Sequence, residues 1–153
     1  MEDRAWPYGR PPDALGAVVH GPALLARQVG ITVGLRCVFA HPDGLHIPLV
    51  LAARGEPADR AGSVRFGRVE SSPILQLTAT MNGRSGPVDS TQTEGRGGTG
   101  SFDQRSTYWI NALPEDGRLR LSVAWPEIGL AETITDLLLG DLDDLEDRVI
   151  PLA

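Results

Sequence analysis

Lysine is absent. All fourteen basic side chains are arginine, which excludes Schiff-base chemistry, a Walker-type phosphate clamp and a lysine general base. Arginine codons are GC-rich, so this basic set points to a GC-rich genome. Cysteine is almost absent too. Cys37 is the single one, so no intrachain disulfide forms. It alternates with Ile31, Val33, Leu35 and Phe39 and reads as a small core hydrophobe rather than a reactive thiol. Long apolar runs are missing: nothing approaches the ~20 residues a helix needs to cross a bilayer. The start Met1-Glu2-Asp3-Arg4 does not resemble a signal peptide, so the expected compartment is the cytoplasm, with no membrane partner. An excess of cations is lacking as well. The net charge is −6, which weighs against nucleic acid as a partner.

What is present is turn chemistry. Pro114-Glu115-Asp116-Gly117 and Pro126-Glu127-Ile128-Gly129 are Pro-x-x-Gly units, and Pro42-Asp43-Gly44 is one residue shorter. Proline presets φ at the first corner of a turn, and glycine accepts the positive φ that closes it. Between these units the apolar residues alternate. Ile31, Val33, Leu35, Cys37 and Phe39 form one set, and Leu45, Ile47, Leu49 and Leu51 answer it after the turn. Leu75, Leu77, Ala79 and Met81 form another, as do Leu119, Leu121, Val123 and Trp125. A period of two with hairpin turns predicts antiparallel β-structure. With 153 residues the chain reads as one domain. The expected fold is all-β: a two-layer antiparallel β-sandwich of about eight strands, immunoglobulin-like or jelly-roll-like, over residues 16–153. A Pro-rich arm, residues 1–15, precedes it, and Trp6 and Tyr8 predict that the arm docks on its own domain. Residues 53–63 read as a polar connection, Val64 to Arg68 as a short strand, and Thr107 to Leu113 with Arg118 to Trp125 as a hairpin. Leu142, Leu145 and Val149 lie at helical spacing among acids and predict a short C-terminal helix.

Candidate chemistry is sparse. Gly95-Arg96-Gly97-Gly98-Thr99-Gly100 matches a dinucleotide-binding string, but no strand precedes it and no helix follows, so the match carries little. His41 and His46 lie on either side of a turn with Asp43 between them. Two histidines do not make a zinc site, so no metal and no cofactor are expected. No G-x-S-x-G elbow and no selected carboxylate pair point to catalysis. The long polar stretch from Gly83 to Arg105 stands out instead, because structureless loops beyond about 12–15 residues are uncommon unless functional or disordered. Arg96 and Arg105 on this stretch, with Phe102, Tyr108 and Trp109 in and beyond it, are the candidate binding residues, since arginine and aromatics concentrate at interface hot spots.

The order Ile31-Thr32-Val33-Gly34-Leu35-Arg36, His41-Pro42-Asp43-Gly44-Leu45, a Gly-rich stretch, Tyr108-Trp109-Ile110-Asn111-Ala112-Leu113-Pro114 and Leu121-Ser122-Val123-Ala124-Trp125-Pro126, with Gly129 and Glu132, resembles a group of uncharacterised small β-sandwich proteins of high-GC Gram-positive bacteria. The resemblance implies an actinobacterial host or one of its phages, and no activity. The expected function is a non-catalytic protein-interaction or assembly module that binds a protein partner or self-associates as a homo-oligomer. Two alternatives stay open: a small-ligand binder or enzyme with a pocket around His41, Asp43 and His46, and a structural component of a phage or other particle.

Overall fold

The computed structural model describes residues 5–66 and 75–152, and strands dominate them. In chain order they are β1 (Ala14–Leu15), β2 (Ala17–His20), β3 (Ala23–Gln28), β4 (Ile31–Leu35), β5 (Val38–His41) and β6 (Gly44–Arg54). Helix α1 (Glu56–Phe66) leads towards β7 (Gln76–Met81), β8 (Arg84–Val88), β9 (Ser90–Gly98), β10 (Ser101–Ile110) and β11 (Arg118–Trp125). A 3-10 turn, Pro126–Ile128, precedes β12 (Leu130–Leu138), helix α2 (Leu145–Arg148) and β13 (Ile150–Pro151).

Two antiparallel sheets result. In the larger, β2-β5-β6-β10-β9 are neighbours, and β4 joins the same side of β6 with β3 beyond it. The smaller has the order β12-β11-β7-β8. A separate ribbon pairs β1 with β13. This is the two-layer antiparallel β-sandwich that the alternation predicts, and α2 is the short C-terminal helix. The core lies between the sheets. Leu45, Ile47, Leu49 and Leu51 of β6 meet Leu77, Ala79 and Met81 of β7 and Leu119, Leu121, Val123 and Trp125 of β11 there, all buried. Each of these residues follows the two-residue period of a pleated strand.

Four expectations are corrected. Residues 53–63 do not form a polar connection throughout, since α1 starts at Glu56. Pro57 at the first turn and Glu56 and Asp59 at the positive end of the helix dipole favour that start. Ala58 and Ala61 are buried. The strand expected over Val64 to Arg68 is helix through Phe66, and Gly67 and Arg68 lie outside the described residues. The stretch from Gly83 to Arg105 is not a loop but β8, β9 and the start of β10. Asn82 (φ 55°) and Gly83 (φ 72°) make the two-residue turn into β8, because a hairpin of this kind needs positive φ at both corners. Finally, β10 and β11 are not a hairpin. They belong to different sheets, and Pro114–Gly117 lies on the crossover between them.

Cys37 is also displaced from its expected face. Between the pairs Leu35↔Leu49 and Phe39↔His46 the outer strand carries one residue more than β6. That is a β-bulge, and it reverses the alternation. Val38 and Ala40 therefore enter the core, while Cys37 and Phe39 are only half-buried. Arg36 donates its backbone N–H to the Pro48 carbonyl at 3.0 Å across the bulge. Burial pushes the Cys37 thiol up despite the neighbouring Arg36.

Candidate functional site

The N-terminal arm closes one end of the sandwich. Trp6 is 2% exposed and its indole N–H donates to the Ala79 carbonyl at 2.9 Å. The Arg84 guanidinium stacks over the same ring, 5.2 Å from its centroid, and donates to the Ala5 carbonyl at 2.8 Å. Further along, Gly9 lies against Trp109 and Gly16 against His41 and Phe39, so closely that a Cβ at either would collide. The arm thus docks on its own domain.

Beneath the arm sit the two histidines. His41 is 1% exposed and its Nδ1 has no hydrogen-bond partner. Its ring meets Trp109 edge-on at 5.7 Å, and His46 meets Phe39 at 5.6 Å. Burial holds both imidazoles below the ordinary value of 6.5; Asp43 opposes this at His41, and His41 reinforces it at His46. The structure does bring His41 and His46 together, but it packs them among aromatic rings. Gly44 starts β6 without positive φ, contrary to the turn-closing role expected of it. It is glycine because a Cβ would strike the Ile110 carbonyl and the Trp109 ring.

The candidate binding residues divide by pleat. Phe102 and Tyr108 point into the core and are 0% and 1% exposed, and Phe102 meets Trp125 edge-on at 6.1 Å. Burial pushes the Tyr108 phenol up to about 12, and Ser106 donates to its oxygen at 3.2 Å. Between Phe102 and Ser106, Gln104 is buried with neither end of its amide paired. Trp109 is covered on the opposite face of the sheet. None of the three aromatics reaches solvent as an anchor would, because an inward position on a central strand is core before it is surface. Arg96 and Arg105 are exposed, and the fold brings them together. They border a shallow cleft of about 440 Å³ with Val50, Glu94, Gly95 and Asp103.

Charge alternates across this cleft in both directions. Asp103 stands opposite Arg96, and Arg105 opposite Glu94, on adjacent strands. Arg54 at the end of β6 takes Asp103 at 3.2 Å. Glu94 receives only the Gln92 amide, at 3.3 Å. Among the described residues, Glu94, Arg96 and Arg105 hold no ion pair. A second cleft, about 420 Å³, lies on the smaller sheet around Asn82, Asp116, Arg118, Arg120, Asp136 and Leu138. Its central charges satisfy each other: Arg120 grips both oxygens of Asp136, at 2.7 and 3.2 Å. That contact holds the Asp136 carboxyl below its usual range. Arg118 beside that pair holds no ion pair among the described residues either, but the first cleft keeps two such arginines and a facing carboxylate. Sequence reasoning missed Glu94, Asp103 and Arg54. The alternations Glu94-x-Arg96 and Asp103-x-Arg105, opposite in sign at a period of two, were the signal.

Among the described residues no three His, Cys, Asp or Glu side chains converge as metal ligands would, and no helix is long and apolar enough to cross a membrane. Comparison with protein-family models, curated proteins and solved structures returns no match.

Proposed function

We propose that this chain is a non-catalytic protein-interaction module whose binding surface is the outer face of β9 and β10. One observation carries the reading: Arg96 and Arg105 stand exposed at one cleft and, like the neighbouring Glu94, hold no ion pair among the described residues. Charges held on a rigid two-strand platform, and not neutralised within the chain, set partner choice and register more than they set fold stability. Phe102 and Tyr108 fix the platform from inside rather than touching the partner. The partner is a protein met in the cytoplasm, and the arginine-only basic set suits a high-GC Gram-positive host.

The double variant Arg96→Ala/Arg105→Ala tests this. Tagged wild-type protein is expected to retain a partner from an extract of its own host, and the variant to lose it while melting within about 1 °C of wild type, since exposed charges contribute little to stability. An unchanged set of captured proteins rejects the assignment of the surface.

A further inference from the structure

The remaining edges of the two sheets differ in one physical respect. A strand edge presents unpaired backbone N–H and C=O groups, and proteins blunt such edges with proline, bulges, like charges or a covering segment. β8 is blunted by Pro87 and by the arm, whose Ala5 lies against Gly86. The β2–β3 edge is broken at Gly21-Pro22 and carries register shifts at Val18/His20 and Leu24/Ala26. β12 has carboxylates at Glu132 and Asp136 and no cation, so pairing it with itself yields no ion pair in any register. Among the described residues β9 has the least protection: α1 lies beside part of it, but no strand or arm pairs along its free edge. It is nine residues long, contains no proline, pairs only with β10, and has its one irregularity at the end near Ser90. Among the described residues, its backbone makes no hydrogen bond to anything except β10.

The sequence of β9 is also complementary to itself. Around Gly95 the strand reads Glu94-Gly95-Arg96. An antiparallel copy placed on a two-fold axis through Gly95 sets Glu94 opposite Arg96 of the second chain and Arg96 opposite its Glu94. Directly opposed side chains of an antiparallel pair stand about 4.5–5.5 Å apart at Cβ, close enough for ion pairs. On the other face the same register sets Thr93 against Gly97, and Gly95 against itself, so no bulky side chain obstructs the approach. Glu94 and Arg96, which hold no ion pair among the described residues, thus gain one each.

We propose that β9 pairs antiparallel with β9 of a second copy, centred on Gly95, and joins the two larger sheets into one. The proposal rests on the interaction-module reading and names its partner. A single strand edge is a small contact beside the about 1,200–2,000 Å² of stable interfaces, so the association is sought at micromolar concentrations.

Sedimentation velocity over micromolar concentrations, on the full chain, is the test. Wild type is expected to shift from monomer to dimer. Arg96→Glu sets the Glu94 carboxylate against the introduced one twice in the dimer and is expected to weaken it at least about tenfold, since like charges in contact repel. The charge swap Glu94→Arg/Arg96→Glu, made together with Asp103→Arg/Arg105→Asp so that the facing charges of β9 and β10 within one chain stay opposite in sign, restores both pairs in reversed sense and is expected to return the dimer to within about threefold of wild type. Amide hydrogen exchange is expected to slow with concentration in residues 90–98 and not in β12. A wild type that stays monomeric, an Arg96→Glu that dimerises as wild type does, a swap that fails to rescue, or protection at another edge overturns the proposal. A monomer that still captures a different protein through Arg96 and Arg105 overturns this pairing alone and leaves the interaction-module reading in place.

Discussion

At the scale of single residues, burial decides what each side chain can do. His41 is the clearest case. A charged imidazole at 1% exposure, with nothing bonded to Nδ1, loses more in hydration than the Asp43 charge returns, so the folded chain favours its neutral form and lowers its pKa. His46 is only half-buried, and burial together with the charge of His41 shifts it in the same direction. Both groups take up their proton at lower pH in the folded chain than in the unfolded one. The unfolded chain therefore binds protons first as pH falls through 6.5, and stability drops from there downward. Melting temperatures between pH 8 and 5 (about the window in which histidine charge changes) are expected to decline in wild type. A His41→Asn/His46→Gln variant is expected to show a visibly flatter profile over the same interval. Equal slopes in the two proteins refute the assignment. Gln104 is the opposite kind of residue. Its amide is buried but cannot shed its polarity by releasing a proton, so it remains a local cost of about 1–3 kcal/mol.

At the scale of elements, turns were legible where their residues have local reasons, and strands where one face is greasy. β6, β7 and β11 were readable because every second residue is apolar. β9 was not, since Ser90-Thr91-Gln92-Thr93-Glu94-Gly95-Arg96-Gly97-Gly98 contains no apolar side chain. It is ordered by main-chain bonds to β10, a non-local fact that no periodicity reports. Asn82-Gly83 was the available clue, as a strong hairpin signal. Asn82 does more than turn the chain. Its amide donates to the Leu113 carbonyl at 2.9 Å and accepts from the Glu115 backbone N–H at 2.8 Å, which ties the β7–β8 turn to the crossover between sheets. Asn82→Gly keeps the positive φ while removing both bonds. It is expected to lower the unfolding free energy by about 1–2 kcal/mol, measured by urea denaturation. A change below about 0.3 kcal/mol would show that the clamp contributes nothing.

At the scale of the whole molecule, the arm belongs to the sandwich. Trp6 spans 73 residues of sequence to reach Ala79, and it is part of the same buried cluster as β7 and β11. Trp6→Ala is expected to cost about 3–5 kcal/mol, as for other large-to-small core changes, with the loss read by chemical denaturation. A variant as stable as wild type would mean that the arm only rests on the surface. The sequence alone settled that this chain builds antiparallel strands around one core, because alternate apolar residues can be buried only on one side of a pleated ribbon. It also settled where several turns fall, since proline and glycine set backbone angles locally. Tertiary structure alone decided the rest. A single extra residue at Arg36-Cys37 turned Cys37 and Phe39 out of the core. The pairing of β10 with β6 and β9, and not with β11, placed Phe102 and Tyr108 inside and left Arg96 and Arg105 on one exposed face. Which strand lies beside which is fixed by summed burial and backbone hydrogen bonding over the whole domain, and no window of sequence contains that sum.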